Sequence, residues 1–410
     1  MGVGLKETVT IIFLITYLGV AIGKVPGLAL DRTGIALLGA VAMIVSGAID
    51  TKEAVLAVHI PTILLLYSLM IVSAQFRLGG FYTKCALSIT RLLERPKVFL
   101  LMLMLTSALL SAFLANDIVC LAFTPVISTS LLLESRNPIP YLLALAMASN
   151  IGSAATIIGN PQNMIIGQMA NLNFWLFTLW SLIPVLLSLV ASYGLILLIY
   201  GKKLQSSYKS VIYELGESWP PYDSHQTKKG IIAVSLILIL FLFPIPREIV
   251  AICIAGWLLL SRRMKTRSIL GLVDWHLITL FCSLFILIAA IEKYQVPQDI
   301  LLFLEKYGFK IEPFSLSIIS VVLSNLTSNV PAVMLLTKFL DPGQTILWYV
   351  LALSSTFAGN LITLGSIANL IVIEEAAVFG IKISFWEHAK VGIPETIISL
   401  IILILWTWIQ

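Results

Sequence analysis

Charge is what this sequence has least of. Its 410 residues include only 21 acids and 26 bases, 11% in all. That is about half the charged share of an ordinary soluble domain, which excludes a chain that must keep its whole surface in water. Cysteine is equally scarce. Cys85, Cys120, Cys253 and Cys282 lie in or beside apolar segments with no paired spacing, which argues against a disulfide framework or a thiolate metal cluster. The chain has four histidines. No hydrolase triad and no Gly-x-x-x-x-Gly-Lys phosphate loop stands out, so an enzyme is poorly supported and no cofactor is expected. No A-x-A cleavage signal follows the first apolar run, Thr8 to Ile22, which therefore reads as a retained span.

What is present is apolar. Hydrophobic residues make up 59% of the chain, in runs long enough to cross a bilayer and separated by short polar loops. The pattern is that of an all-α polytopic membrane protein. A net charge of +5 is then explained by basic cytoplasmic loops, without nucleic acid. Spans are predicted near 8–23, 33–48 and 60–76, followed by a basic amphipathic connector at 78–97. A segment at 98–131 is interrupted at Leu114–Asp117, and a long span is predicted at 174–200. The polar stretch 201–228 divides the chain into a first half, 1–200, and a second, 229–410.

Between those spans, Ala148 to Ile165 collects Gly, Ser, Thr, Asn and Pro inside an apolar region. Backbone left unpaired in hydrocarbon costs several kcal/mol, so irregular chain at that depth belongs around a polar cavity or inside protein. Asn160 followed by Pro161 reads as an N-cap with proline at the first helical position. A helix broken at 139–170 is therefore expected, the usual mark of a transporter site.

The second half repeats the first in order. Arg32 has a counterpart in Arg247, His59 in His276, and Asn116 in Asn329. With one gap, Gly152, Thr156, Gly159 and Asn163 align with Gly359, Thr363, Gly365 and Asn369, and Asn160 with Ser366. If 98–131 and 313–340 are re-entrant hairpins, each half has about five spans and the second half is inverted. Most of the basic residues, including Arg91, Arg95, Lys97, Arg136, Arg262, Arg263 and Arg267, then collect on one side. The positive-inside rule makes that side cytoplasmic, with both termini outside.

Four helix starts, at Asn116, Asn160, Asn329 and Ser366, would converge near the midplane. Each presents unpaired N–H groups and about half a positive charge, an anion site that needs no lysine or arginine. Carbonyls freed where the preceding half-helices end suit a hard cation such as Na⁺. The substrate candidates are Asn116, Asp117, Thr156, Asn160, Ser328, Asn329, Thr363 and Ser366. The coupling-ion candidates are Asn116, Asp117, Asn150, Gly152, Gly159, Asn163, Ser328, Asn329, Gly359, Asn360 and Asn369. Asp117 is the one acid at a predicted hairpin tip, able to bind a cation or a proton; its repeat counterpart is Val330.

Phe113–Ile118, Ile158–Asn163, Ser328–Pro331 and Gly365–Asn369 resemble the motifs of the ion-transporter superfamily. Its members include arsenite permeases, NhaD-type sodium/proton antiporters, and citrate and sodium/dicarboxylate transporters. Within it the chain looks most like the YbiR-type bacterial inner-membrane permeases. The resemblance covers nearly the whole chain. It implies a homodimer in the inner membrane, each protomer with a static scaffold and a mobile transport domain working as an elevator. Tips and broken helices would hold the substrate, a small anion, and the coupling ion, Na⁺ or H⁺. Where dicarboxylate members carry Ser-Asn-Thr at both tips, this chain has Ala115-Asn116-Asp117 and Ser328-Asn329-Val330. The Asn-Asp tip is closer to the arsenite-permease and antiporter branches. The expected function is secondary transport of a small anion, with Na⁺/H⁺ antiport through Asp117 or metalloid efflux as alternatives.

Overall fold

The computed structural model describes residues 2–23, 27–207, 220–307 and 310–410. Among them there is no sheet; the one β contact is an isolated bridge between Arg136 and Ser207. The first half contains α1 (Gly2–Ile22), α2 (Arg32–Val45), α3 (Thr51–Ala57), α4 (Ile60–Leu78) and α5 (Phe81–Thr90). It continues with α6 (Pro96–Phe113), α7 (Asn116–Leu133), α8 (Ile139–Ser153), α9 (Pro161–Met169) and α10 (Phe174–Tyr200). After the linker come α11 (Ser224–Leu240), α12 (Arg247–Leu259), α13 (Thr266–Leu270), α14 (Trp275–Lys293) and α15 (Val296–Lys306). The chain closes with α16 (Pro313–Thr327), α17 (Asn329–Leu336), α18 (Thr345–Ala358), α19 (Ile367–Val378) and α20 (Phe385–Ile409). Seven of the described helices (α1, α4, α6, α7, α10, α14 and α20) are long and apolar enough to cross a membrane.

Local chemistry sets many of the boundaries. Asp31 caps α2 by accepting from the Gly34 amide at 2.9 Å, and Asp50 with Glu53 forms a capping box on α3. Proline stands in the first turn of α6 and of α16, where its missing N–H is not needed. Both α10 and α20 carry an internal proline, Pro184 and Pro394. The hydrogen bond from Gly34, the largest effect, together with the His276 imidazole, holds the Asp31 carboxyl below the usual aspartate range. A group depressed in the folded state contributes stability above its unfolded value and loses it as pH falls through the folded one. Asp31→Asn keeps a capping oxygen but cannot titrate. Melting temperature against pH should therefore fall less steeply at the acid end in Asp31→Asn than in the parent.

Packing relates the two halves helix by helix. α2 packs on α14 and α12 on α4; α6 packs on α8 and α16 on α18. α7 lies against α19, α9 against α17, and α10 against α20. Exchanging the halves maps six of these contacts onto one another in pairs and the α10–α20 contact onto itself. All fifteen residues of α8 are buried, so it stands at the centre. α1, α10 and α20 turn leucine and isoleucine outward, among them Leu18, Leu186, Ile397 and Leu405, a surface suited to acyl chains.

Three sequence-based boundaries shift. The interruption expected at Leu114–Asp117 is only Leu114 and Ala115, because Asn116 and Asp117 already belong to α7. The linker at 201–228 is shorter than expected, since α11 starts at Ser224; its residues 208–219 lie outside the described residues. By helix starts, the counterpart of His59 is Asp274 rather than His276. Cap geometry is the reason. His59 Nδ1 accepts from Thr62 N at 3.4 Å and Asp274 from Leu277 N at 2.8 Å, while His276 pairs with Asp31 at 2.7 Å. Arg32 and Arg247 do match, as the first residues of α2 and α12.

Candidate functional site

Each half contains a helix broken near its middle. α8 stops at Ser153 and α9 restarts at Pro161; α18 stops at Ala358 and α19 restarts at Ile367. Asn160 and Ser366 cap the restarts, accepting from Asn163 N at 2.9 Å and Ala368 N at 3.2 Å. Three residues past each cap, an asparagine turns back to the carbonyls that the break sets free. Asn163 Nδ2 donates to the Thr156 carbonyl at 3.0 Å, and Asn369 Nδ2 to Gly359 at 2.7 Å and Ile362 at 3.3 Å. The first break also requires glycine. A Cβ at Gly159 would stand 2.1 Å from the Ser153 carbonyl oxygen, and one at Gly152 would stand 2.3 Å from the backbone of Ala108.

Hairpin tips meet both breaks. In the first half Asn116 Nδ2 donates to Asn150 Oδ1 at 3.3 Å, and Ser149 Oγ donates to the Asn116 carbonyl at 3.2 Å. Ser149 also shares a 2.7 Å hydrogen bond with Ser111, and the Thr156 hydroxyl donates to the Ala112 carbonyl. In the second half the turn residue is Ser328, at φ +78°, a backbone conformation that favours glycine. Asn329, with its amide oriented to satisfy its neighbours, donates to the carbonyls of Ser355 at 3.2 Å and Gly365 at 3.3 Å. Asn325 reaches the Ala358 carbonyl at 3.0 Å.

Asn150 joins the halves. Its Nδ2 donates to Asn360 Oδ1 at 2.8 Å and Asn369 Oδ1 at 3.1 Å, while its Oδ1 accepts from Ser366 at 2.9 Å as well as from Asn116. A second bridge runs from Asn160 Nδ2 to Thr356 Oγ1 at 3.2 Å. Most of the residues singled out in the sequence thus lie in one buried region. Asp117 and Thr363 are not part of the hydrogen-bonded set. Among the described residues neither makes a hydrogen bond into it. Thr363 opens a short 3₁₀ turn and is partly exposed. Ser328 contributes its backbone turn.

The sequence reading missed Ser153, Thr356, Asn325, His388 and Glu395. His388 Nε2 lies 3.0 Å from the Asn360 carbonyl oxygen, and Glu395 Oε2 accepts from Asn360 Nδ2 at 2.9 Å. A signal for Glu395 was available: it is an acid beside a proline in the middle of a long apolar run. Arg247, a buried cation, lies at the far end of α9, where it donates to the carbonyls of Gly167 at 2.7 Å and Leu172 at 2.8 Å. The broken-helix region is therefore built from amides, hydroxyls, free backbone groups and four helix N-termini. It can hydrogen-bond an oxygen-rich solute or coordinate a hard cation. A separate cavity of about 180 Å³ lies beside α9 and α17, lined by His59, Met169, Phe285, Met334 and the Glu292–Lys338 ion pair at 2.6 Å.

The family described as "Citrate transporter" matches residues 12–352. The chain belongs to the citrate transporter family. This places it in the ion-transporter superfamily, as the motifs led one to expect, and identifies a multi-pass membrane transporter. A "46 kDa membrane protein" of Mycobacterium leprae is 30% identical, with 97% of each chain covered. The "Silicon efflux transporter LSI3" of Oryza sativa subsp. japonica is 28% identical over 92% of each. In fold, the family member resembles the crystal structure of the Alcanivorax borkumensis YdaH transporter, with a TM-score of 0.55 and 14% identity. That match covers 99% of this chain and 98% of the other.

Proposed function

We propose that the protein is a secondary active transporter for a small oxyanion, coupled to Na⁺ or H⁺. The observation that carries this reading is the Asn150 junction, where two broken helices and a hairpin tip share one hydrogen-bond network. Amides and helix N-termini attract an oxyanion without fixing it to a buried lysine or arginine, so it can leave as readily as it enters. A coupling ion bound at the freed carbonyls orders the neighbouring tip and raises anion affinity there, as reciprocal linkage requires.

In this reading the second half repeats the first, which the exchange symmetry of the packing supports, and is inverted relative to it. The protein is a homodimer in the inner membrane of a prokaryote, with both termini outside. A transport domain of tips and broken helices moves across a scaffold as an elevator. Metalloid oxyacids are the second substrate reading, favoured by the neutral donor set of the site and by the relative named for silicon efflux.

The test is uptake into proteoliposomes of citrate, arsenite and silicate, each under a Na⁺ gradient and under a pH gradient. One solute should accumulate with one gradient, and Asn116→Ala and Asn329→Ala should each slow it about tenfold or more, the cost of a lost charge-assisted hydrogen bond. Wild-type rates and unchanged ion dependence in both variants would overturn the reading.

A further inference from the structure

One branch of the amide network ends on a carboxyl group. α20 passes the break between α18 and α19 with His388, Gly392, Glu395 and Ser399 at spacings that share one helix face. Gly392 permits the approach, since a Cβ there would stand 2.1 Å from the Asn360 carbonyl oxygen. Glu395 lies eleven residues into α20, about 16 Å along the helix and near the middle of a bilayer. Its side chain is buried. Oε2 accepts from Asn360 Nδ2 at 2.9 Å and Oε1 from Ser399 Oγ at 2.6 Å.

The surroundings contain little else that titrates. α20 packs against α10, α16, α18 and the 3₁₀ turn Thr363–Gly365. α16 and the turn carry no titratable side chain. α18 has only Tyr349, whose ring meets Phe177 edge-on and lies tilted against Trp180. α10 has Tyr193 and Tyr200, which donate to the carbonyls of Lys97 at 3.2 Å and Glu387 at 3.3 Å. On α20 itself His388 is buried beside Asn360, while Glu387 and Lys390 lie near the N-terminal end of the helix. Among the described residues no lysine or arginine forms an ion pair with Glu395.

We propose that Glu395 is a proton-binding site, and that Asn360 and Asn150 connect its occupancy to the broken helices and the first hairpin tip. The proposal rests on the transporter reading and specifies its coupling ion as H⁺. A buried carboxylate without a cation carries a desolvation cost that an added proton removes.

The Ser399 hydroxyl allows both states to keep their hydrogen bonds, because it is donor and acceptor at once. When a proton forms an O–H bond at Oε1, Ser399 turns to accept it and donates instead to the Glu395 backbone carbonyl four residues back. When the proton leaves to water, Ser399 turns back. No electrons are transferred. Ionised Glu395 holds the Asn360 amide by a charge-assisted bond, about twice as strong as a neutral one. Protonation weakens that first link in the series from Glu395 through Asn360 and Asn150 to Asn116. In the first half, Val185 follows Pro184 as Glu395 follows Pro394, so each chain has one such site.

Infrared difference spectra between acid and alkaline pH, on purified protein in lipid, test proton binding without a substrate. A protonated-carboxyl band should vanish in Glu395→Gln, move in frequency in Ser399→Ala, and persist in Asp117→Asn. Full retention of the wild-type bands in Glu395→Gln would overturn the proposal. Should that variant aggregate, Ser399→Ala decides alone, and an unmoved band rejects the site. Coupling is tested with citrate, arsenite and silicate in proteoliposomes. Glu395→Gln should lose pH-driven accumulation about tenfold or more; intact pH-driven accumulation would overturn coupling through Glu395. If wild-type protein moves none of the three, the transport reading fails by itself and the spectra still decide proton binding.

Discussion

Asn150→Ala is expected to lower thermal stability and nearly abolish transport. The side chain makes four hydrogen bonds, to Asn116, Asn360, Ser366 and Asn369, and alanine leaves all four partners without it. Interhelical hydrogen bonds within membranes average about 0.6 kcal/mol each, less than in water, because the disrupted state finds other partners. Four in one buried network should together contribute about 2–3 kcal/mol. Transport should fall about 100-fold, a barrier change of similar size, because the change disconnects the two halves at the place where binding must be communicated. Thermal melting in nanodiscs and solute counterflow measure the two effects separately. Melting and flux within about twofold of wild type would show that the junction does not organise the site.

Gly152→Ala should prevent stable folding. The added Cβ would stand 2.3 Å from both Cα and O of Ala108, and these are backbone atoms in α6 that no rotamer change can move. Separating α8 from α6 opens the most extensive helix–helix contact among the described residues, and overpacking of this kind costs about 3 kcal/mol or more. Gly256→Ala provides the control. Gly256 lies in α12, and a Cβ added there would meet nothing within 4 Å, so alanine should be neutral or stabilising by up to about 1 kcal/mol. Yield of monodisperse protein and melting temperature should therefore move in opposite directions, or only in Gly152→Ala.

Much of this protein was determined by its sequence alone, because the membrane leaves few alternatives for a chain of this composition. A bilayer admits helices and closed barrels, so apolar runs of helical length specify the class. Breaks are legible for the same reason: Asn160-Pro161 and Ser366 are the capping residues a helix needs in order to restart. The correspondence of Arg32 with Arg247 and of Asn116 with Asn329 could be read because each pair occupies the same place at a helix start. Pairings resting on residue identity were less secure. His59 and His276 look equivalent in sequence, yet one caps a helix and the other hydrogen-bonds Asp31.

Only tertiary structure decided which polar groups meet. Asn150 and Asn369 are 219 residues apart and share a 3.1 Å hydrogen bond, a contact that no local spacing encodes. Asp117 shows the reverse: as the acid at a predicted tip it drew attention in the sequence, but its side chain does not join the amide set. Glu395 lies in an otherwise ordinary apolar helix and acquires its partners because Gly392 admits the Asn360 carbonyl. Periodicity and caps act over a few residues and so remain visible in a linear chain. Hydrogen bonding across the two halves depends on how α8, α18 and α20 pack, and that is settled by side-chain volume at close contact between distant segments.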